Sequence, residues 1–343
     1  MQVYVGRRTL MGAAMGWFVS SATVRAAEPV AITGAGSSFI DPVMRRLLEL
    51  VPASMGVQAS YDPVGSGNGR NRVLAGDVDF GASDEPMPAD KLADSNLVQF
   101  PLVFGGIVCA VNIPGVADNR LVLDGPLLGA IYTGAIKKWN DPQITALNPG
   151  LALPDLDIHP VSEGTPNGTQ PGTVYNFKQY LFATNPELKA KYGAGTSRRW
   201  TVGSMAATNA FVVDTIRVLP GSIGYMSLGA AAKAGLVRAM LRNRAGKAVA
   251  ASSAALAAAT TQADWAHAPG MVVNLLDLPG DESWPIVIAT YALVPKEPKH
   301  PEALRAFIRF IINEPTAAPS VFAASMPPAV RTAALAMPGI SGS

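Results

Sequence analysis

The chain has 343 residues, of which 49% are hydrophobic and 15% charged, and it contains 33 Gly and 28 Pro. This balance is typical of a globular protein, and the length is enough for two hydrophobic cores, because single cores stop growing at roughly 250 residues. The formal net charge of +2 becomes −1 once Arg7, Arg8 and Arg25 are left out as part of a removed leader. A nearly neutral chain lacks the excess positive charge that attracts nucleic acid, so nucleic-acid binding is excluded.

The first 26 residues are predicted to be an export signal. The basic pair Arg7 and Arg8 precedes an apolar run at 10–19, and small residues follow as far as Ala27. The run is too short to span a bilayer, which needs about 20 apolar residues. Secretory and twin-arginine export both remain open. No Cys directly follows the signal, so we expect a periplasmic protein without a lipid anchor.

In the N-terminal part of the mature chain, strands and helices alternate in the pattern of an α/β fold with mostly parallel sheets. The patterns predict strands at 30–32, 57–61 and 80–83, with a helix at 41–50 after the first strand and a helix through 73–75 after the second. Two further strands, at 98–103 and 107–111, continue the sheet. The single cysteine, Cys109, is predicted to be a buried thiol in the last of these strands.

The rest of the chain gives weaker signals. The segment W-N-D-P at 139–142 predicts the start of a helix, because Asn or Asp caps a helix and Pro favours its first turn. The Ala-rich stretch 250–261 is expected to be a solvent-washed helix or loop. Residues 286–294 predict a buried strand, and 301–312 an amphipathic helix with Leu304, Phe307, Ile308 and Ile311 on one face.

Three turns share one design, in which a strand ends, a Gly- or Ser-containing turn follows and a helix begins. They lie at 33–39, 65–69 and 171–173. A helix start leaves about four backbone N–H groups unpaired and carries about half a positive charge, which favours an anion. Any one of these turns is typical of a plain connector. As a set they predict a site that holds an oxyanion.

Asp84, in the segment S-D-E-P at 83–86, supplies a fourth element. A carboxylate beside an anion site is explained if the anion carries a proton that it can donate. Hydrogen phosphate keeps such a proton near neutral pH and sulfate does not, so this carboxylate would select between them. The alternative is that Asp84 only caps a helix.

Eight motifs in order along the mature chain resemble the phosphate-binding proteins of phosphate ABC transporters. They are T-G-A-G (33–36), V-D-F-G-A-S-D (78–84), F-P (100–101), A-V-N-I-P-G (110–115), I-K-K-W-N-D-P (136–142), L-N-P-G (147–150), L-P-G-S-I-G-Y (219–225) and S-W-P-I (283–286). The resemblance implies a two-lobed type II periplasmic-binding fold of mixed, mostly parallel sheets. One lobe is expected to comprise 28–111 plus 285–343 and the other 112–284, with the ligand in the cleft at the hinge.

The same resemblance implies the function and the site. It predicts a monomeric solute-binding protein that captures inorganic phosphate and delivers it to the membrane permease subunits of an importer. The residues that match the family's ligand-binding positions are Ser38, Phe39, Ser66, Asp84, Gly172 and Thr173.

The second half of the implied site departs from the family pattern. The family's loop R-x-D-G-S-G-T includes an Arg that reaches the phosphate, whereas the corresponding loop here, 162–173, is longer and has no Arg. Pro171 stands where the family has a Ser, and it lacks both the hydroxyl and the N–H. The family's G-K-G-N segment is replaced by A-A-T-N at 206–209. Arg70 or Arg72 could supply the missing charge, or both could lie solvated on a helix surface.

The sequence bears on two other classes of protein. An enzyme is not expected, because the chain has no complete dinucleotide or phosphate-loop motif and no nucleophile elbow. The three histidines, His159, His267 and His300, lack metal-ligand spacing, so no metal or cofactor is expected. A binding protein for another small oxyanion or polar ligand, or a secreted phosphate-scavenging relative without a transporter, remains an open alternative.

Overall fold

The structure is a computed structural model that describes residues 1, 28–164, 171–192, 200, 202–206, 208–265, 267–314, 323–324, 326–337 and 339–341. The predicted export signal and residues 165–170 of the predicted ligand loop lie outside the described residues.

The described part of the chain alternates strands and helices. The strands are β1 (Val30–Gly36), β2 (Val57–Asp62), β3 (Phe80–Ser83), β4 (Leu97–Val111), β5 (Val122–Leu123), β6 (His159–Glu163), β7 (Ser204–Ala206), β8 (Ser222–Ser227), β9 (Val237–Arg238), β10 (Met240–Arg242), β11 (Ala248–Val249), β12 (Val287–Pro295) and β13 (Ala323–Ala324). The helices are α1 (Asp41–Leu50), α2 (Ser66–Ala75), α3 (Ala89–Ala93), α4 (Gly125–Thr133), α5 (Pro142–Leu147), α6 (Gly172–Thr184), α7 (Pro186–Tyr192), α8 (Asn209–Val218), α9 (Leu228–Lys233), α10 (Ser253–Thr260), α11 (Pro301–Asn313) and α12 (Pro328–Leu335).

One mixed sheet runs through the molecule in the order β2-β1-β3-β12-β4-β8-β6-β7, and β9 and β13 also pair with β4. At one end, β1 pairs in parallel with both β2 and β3. At the other end, β6 pairs in parallel with both β7 and β8. The antiparallel strands β12 and β4 stand between these two parallel groups. A smaller sheet contains β11, β10 and β5.

Strand β4 joins the two ends of the large sheet. Its residues 97–106 pair with β12, and its residues 107–111 pair with β8. Every residue of this strand is buried, which explains why its sequence is an almost unbroken apolar run instead of an alternating one. The two strands predicted at 98–103 and 107–111 are therefore one continuous strand.

Aromatic side chains form the core at the β6–β8 end. Phe177 stacks on Tyr225 with 3.9 Å between ring centroids, and Tyr132 packs edge-on against both rings. Two fully buried tryptophans satisfy their indole N–H groups on backbone carbonyls: Trp139 donates to Gly221 and Trp284 to Ile107, each at 3.0 Å. Burying such rings without a partner for the N–H would be costly.

Several local predictions are confirmed. Helix α1 has the predicted bounds, and Asp141 caps α5 by accepting a hydrogen bond from the backbone N–H of Gln143. Helix α11 buries the predicted apolar face and packs on β1 and β2. Cys109 is buried, and burial raises the pKa of its thiol.

The prediction for residues 250–261 is confirmed for the helix but wrong for its exposure to solvent. Helix α10 fills most of this stretch, and Ala255, Leu256 and Ala259 are buried in the core. Leu256 reaches Gly106 of β4 so closely that a Cβ there would lie 2.6 Å from its Cδ2 atom. Small alanine side chains allow the helix to lie close to the sheet, so the low polarity of this stretch reflects packing and not exposure.

Candidate functional site

The carboxylate of Asp84 lies at the centre of a buried polar group. Asp84 follows β3 directly and is 3% exposed. Its Oδ2 accepts hydrogen bonds from the hydroxyls of Ser37, at 2.7 Å, and Ser66, at 3.4 Å. Its Oδ1 accepts a hydrogen bond of 2.6 Å from the Thr290 hydroxyl. We call Ser37, Ser66, Asp84 and Thr290 the Asp84 cluster.

Sheet topology brings this cluster together. Strands β1 and β3 are parallel neighbours, so Ser37 and Asp84 leave the sheet at the same edge. Thr290 comes from the antiparallel strand β12, whose pairing with β4 shifts register between Thr290 and Tyr291. Such a bulge redirects a side chain, and Pro101, which cannot donate to the ladder, pairs at this irregularity.

Two helix starts meet at Asp84. Ser66 is the first residue of α2, and its hydroxyl also accepts a hydrogen bond of 3.1 Å from the backbone N–H of Asp84. Gly172 is the first residue of α6. A Cβ on Gly172 would lie 2.4 Å from the Asp84 Cβ and 2.8 Å from the Ser66 Oγ. The close approach of α6 to Asp84 therefore requires glycine at this position.

Asn176 ties α6 to the loop that carries Asp84. Its side-chain amide donates to the backbone carbonyl of Asp84, at 2.8 Å, and to that of Gly172, at 2.9 Å. A single side chain thus fixes the start of the second helix against the first half of the site.

Burial raises the pKa of Asp84 to about 6, and the hydrogen bonds from Thr290, Ser37 and Ser66 oppose this rise because they stabilise the ionised form. The group is therefore mostly ionised at pH 7, yet it exchanges its proton within the neutral range. A carboxylate of this kind can accept a hydrogen bond from a protonated ligand.

A cavity of about 670 Å³ opens beside this cluster. Ser38 and Ser66 line it from the β1–β3 end, and Glu163, Pro171 and Asn209 line it from the opposite end. Among the described residues, the cations that line the cavity are Arg217 and Lys233, and both are exposed. The cavity is therefore polar at its inner end without a buried cation in its described lining.

The end of the cavity opposite Ser38 and Ser66 contains a second buried carboxylate. Glu163 ends β6 and is 8% exposed. Burial raises its pKa to about 7, with a further contribution from the charge of Asp84, while a hydrogen bond from the backbone N–H of Asn209 opposes the rise. Glu163 Oε2 and Asn209 Oδ1 are buried without a hydrogen-bond partner among the described residues. We call Glu163 and Asn209 the Glu163 wall.

The structure brings Ser66, Asp84 and Gly172 together, and it places Ser38, half-buried, on the cavity lining. Phe39 is buried instead, with its ring against Gly105, and its backbone N–H donates to the Ser37 hydroxyl at 3.0 Å. Thr173 is buried in the first turn of α6, next to Gly172.

Ser37, Asn176, Thr290 and Glu163 were not predicted as site residues. Ser37 adjoins the predicted Ser38, so the turn at 33–39 was the available signal. Thr290 lies 206 residues beyond Asp84 and carries no local motif. Arg70 and Arg72 do not contact Asp84 but form ion pairs with Glu85, at 3.0 Å, and Asp62, at 2.6 Å.

Within the part of the chain that the structure describes, no helix combines the length and the apolar character needed to cross a membrane. The same residues contain no group of three or more His, Cys, Asp or Glu side chains placed to hold a metal ion.

Comparisons with known proteins agree with this geometry. A family model described as a PBP superfamily domain matches residues 23–315. The phosphate-binding protein PstS of Haemophilus influenzae is 38% identical over 290 residues, which cover 84% of this chain and 85% of that protein. The PstS of Pasteurella multocida is 38% identical over 281 residues, covering 81% of this chain and 80% of the relative.

The fold agrees as well. The crystal structure of a phosphate-binding protein from Stenotrophomonas maltophilia matches with a TM-score of 0.66 and 19% identity, covering 89% of this chain and 92% of that one. This likeness confirms the predicted two-lobed α/β periplasmic-binding fold. With identity of this degree to the PstS proteins and a family model over most of its length, the chain belongs to the PstS phosphate-binding proteins of the PBP superfamily.

Proposed function

We propose that this protein captures inorganic phosphate in the cleft beside Asp84 and delivers it to the permease subunits of an ABC importer. The observation that carries this proposal is the Asp84 cluster: a buried carboxylate fixed by three hydroxyls where two helices begin. The PstS relatives, named as phosphate-binding proteins, support the same ligand.

The geometry suits an anion that carries a proton. The helix starts at Ser66 and Gly172 offer backbone N–H groups and a partial positive charge to the oxygens of the ligand. Asp84 offers an acceptor to the proton of hydrogen phosphate. A fully ionised anion such as sulfate would instead meet the negative charge of Asp84 without a hydrogen bond to compensate. Ser38, Phe39, Ser66, Asp84, Gly172 and Thr173 are the proposed ligand-binding residues.

The remaining parts of the proposal concern the protein in the cell. The export signal at 1–26 would place the mature chain in the periplasm. There the protein would act as a monomer and bind phosphate without transforming it. The lobe boundaries, 28–111 plus 285–343 and 112–284, stay a prediction. The contact of α11 with β1 and β2, and the crossing of β4 from β12 to β8, support them.

Equilibrium binding to the purified mature protein tests the proposal. Titration calorimetry with phosphate, arsenate, sulfate and acetate is expected to give the tightest binding for phosphate, weaker binding for arsenate and none measurable for sulfate or acetate. A site built around a required hydrogen-bond donor rejects a ligand that lacks it by about 10⁴-fold or more. Binding of sulfate or acetate as tight as that of phosphate would contradict the proposal.

A further inference from the structure

Glu163 is a buried carboxylate that the proposed mechanism does not use. It lines the cavity at the end of β6, is 8% exposed, and its Oε2 has no hydrogen-bond partner among the described residues. A buried polar atom without a partner is costly and is normally satisfied by protein, water or ligand. Because Glu163 also lines the cavity, a ligand group that donates a hydrogen bond there is suited to satisfy this carboxylate.

A structural role explains only part of this arrangement. The Glu163 carboxylate accepts a hydrogen bond from the backbone N–H of Asn209, the first residue of α8, and so it assists the cap that Thr208 provides. Capping satisfies an orphan N–H of the helix. It does not require the second carboxylate oxygen to be buried and unpaired.

The charged and ionisable groups around Glu163 come from several elements. Asp84, at the end of β3, raises its pKa by charge repulsion, and the Tyr225 hydroxyl on β8 also interacts with it. Among the described residues, the other charged side chains on the cavity lining are Asp41 on α1, Asp214 and Arg217 on α8, and Lys233 on α9. Asp41 and Asp214 are paired with Arg45 and Arg217 respectively.

Resting on the proposed function, we infer that Glu163 is a second acceptor for the bound oxyanion and makes capture proton-coupled. The complex takes up one proton from solvent beyond the one that hydrogen phosphate carries. That proton is shared between the Glu163 carboxylate and the facing phosphate oxygen. Each of the two buried carboxylates, Asp84 and Glu163, then forms a hydrogen bond to the ligand through one proton.

The direction of the pH effect follows from the state of Glu163 in the free protein. Its pKa of about 7 leaves it ionised at pH 8 and protonated at pH 6. Binding at pH 8 must therefore add a proton, and affinity falls about tenfold for each pH unit above 7, as linkage requires for one proton. Gln at this position resembles the protonated acid and needs no proton.

The experiment compares the mature protein with Glu163→Gln by titrating inorganic phosphate between pH 6 and pH 8.5. Each titration is repeated in two buffers of different ionisation enthalpy, which gives the number of protons taken up. We expect the two proteins to bind within about twofold at pH 6, and Glu163→Gln to bind about tenfold more tightly at pH 8. At pH 8 the variant is expected to take up about one proton fewer for each phosphate bound.

The matched control is Asp214→Asn, which makes the same chemical change at an exposed carboxylate on the same cavity lining. It is expected to keep the wild-type dependence on pH. Equal pH slopes and equal proton uptake in wild type and Glu163→Gln would overturn the inference while leaving phosphate capture intact, and Glu163 would then be only a helix cap. A wild-type protein that binds no phosphate at any of these pH values overturns the proposed function, and the inference with it.

Discussion

The two sides of the cavity differ in how their buried polar atoms are satisfied. In the Asp84 cluster both carboxylate oxygens accept hydrogen bonds from hydroxyls that are themselves fixed by the sheet and by a helix start. In the Glu163 wall, Glu163 Oε2 and Asn209 Oδ1 have no partner among the described residues. On the first side each carboxylate oxygen has a partner before a ligand arrives, whereas on the second side two acceptor atoms have none among the described residues. Preorganisation provides affinity, and open acceptors select which hydrogen-bond donors the ligand must bring.

The largest expected effect is that of Gly172→Ala, which forces the start of α6 away from the Asp84 cluster. The added Cβ would lie 2.6 Å from Asp84 Oδ2 and 2.8 Å from Ser66 Oγ, so two binding groups must move. Overpacking of this degree costs about 3 kcal/mol, and phosphate affinity is expected to fall roughly a hundredfold. Calorimetry measures the loss. The control is Gly129→Ala in α4, where the nearest atoms are 3.4 Å away and affinity should not change. Wild-type affinity in Gly172→Ala would show that α6 does not have to approach Asp84 closely.

Asp84→Asn tests the Asp84 cluster. Loss of one charge-assisted hydrogen bond is expected to cost about 1.5–3 kcal/mol, roughly ten- to a hundredfold in phosphate affinity. Sulfate should lose nothing and can gain, because the amide N–H₂ donates to a fully ionised oxygen. The ratio of phosphate affinity to sulfate affinity, measured by competing titrations, should therefore fall, because phosphate binds more weakly and sulfate does not. If the variant binds phosphate like wild type and still excludes sulfate, Asp84 is only a cap.

Glu163→Gln tests the Glu163 wall in the absence of ligand. Glu163 holds its proton more tightly in the folded protein than in the unfolded chain, since burial raises its pKa from 4.5 to about 7. The folded state therefore binds more protons between about pH 4.5 and 7, and the free energy of unfolding falls as pH rises through that window. At pH 8 the variant is expected to be more stable by about 3 kcal/mol, while at pH 4 the two proteins should unfold alike. Urea unfolding at both pH values measures this. Equal stability at pH 8 would mean that Glu163 is solvated.

The smallest expected effect is that of Ser38→Ala. Ser38 lines the cavity, and its hydroxyl can donate a hydrogen bond to the oxygen of any oxyanion. Its removal should weaken phosphate and arsenate equally, by about 0.5–1.5 kcal/mol, roughly two- to tenfold. Ser66→Ala is the informative contrast, since the Ser66 hydroxyl also contacts Asp84, at 3.4 Å. A change in the ratio of phosphate to arsenate affinity on Ser38→Ala would contradict a role limited to hydrogen bonding.

Sequence patterns pointed to the residues around Asp84 and did not single out Glu163. The turns at 33–39 and 65–69 and the residue Asp84 lie at the ends of β1, β2 and β3, where neighbouring parallel strands place their carboxyl ends together. Short local motifs were therefore sufficient. Thr290 could not be predicted, because it reaches Asp84 through a register shift in an antiparallel strand 206 residues away. Glu163 lies in the altered loop at 162–173 and carries no motif of its own, since its burial depends on the packing of α8 against β6.

The central place of β12 has a consequence for the time course of synthesis. This strand lies between β3 and β4, and its Thr290 is the partner of Asp84 Oδ1 although 206 residues separate them. At about 5–20 residues per second, a ribosome takes roughly 10–40 s to add that length of chain. Until then β3 and β4 have no strand between them, and the nascent N-terminal segment cannot complete its sheet. Contacts so distant in sequence also slow folding after release. The growing chain therefore stays incompletely folded for most of its synthesis, which leaves it accessible to the factors that bind unfolded chains.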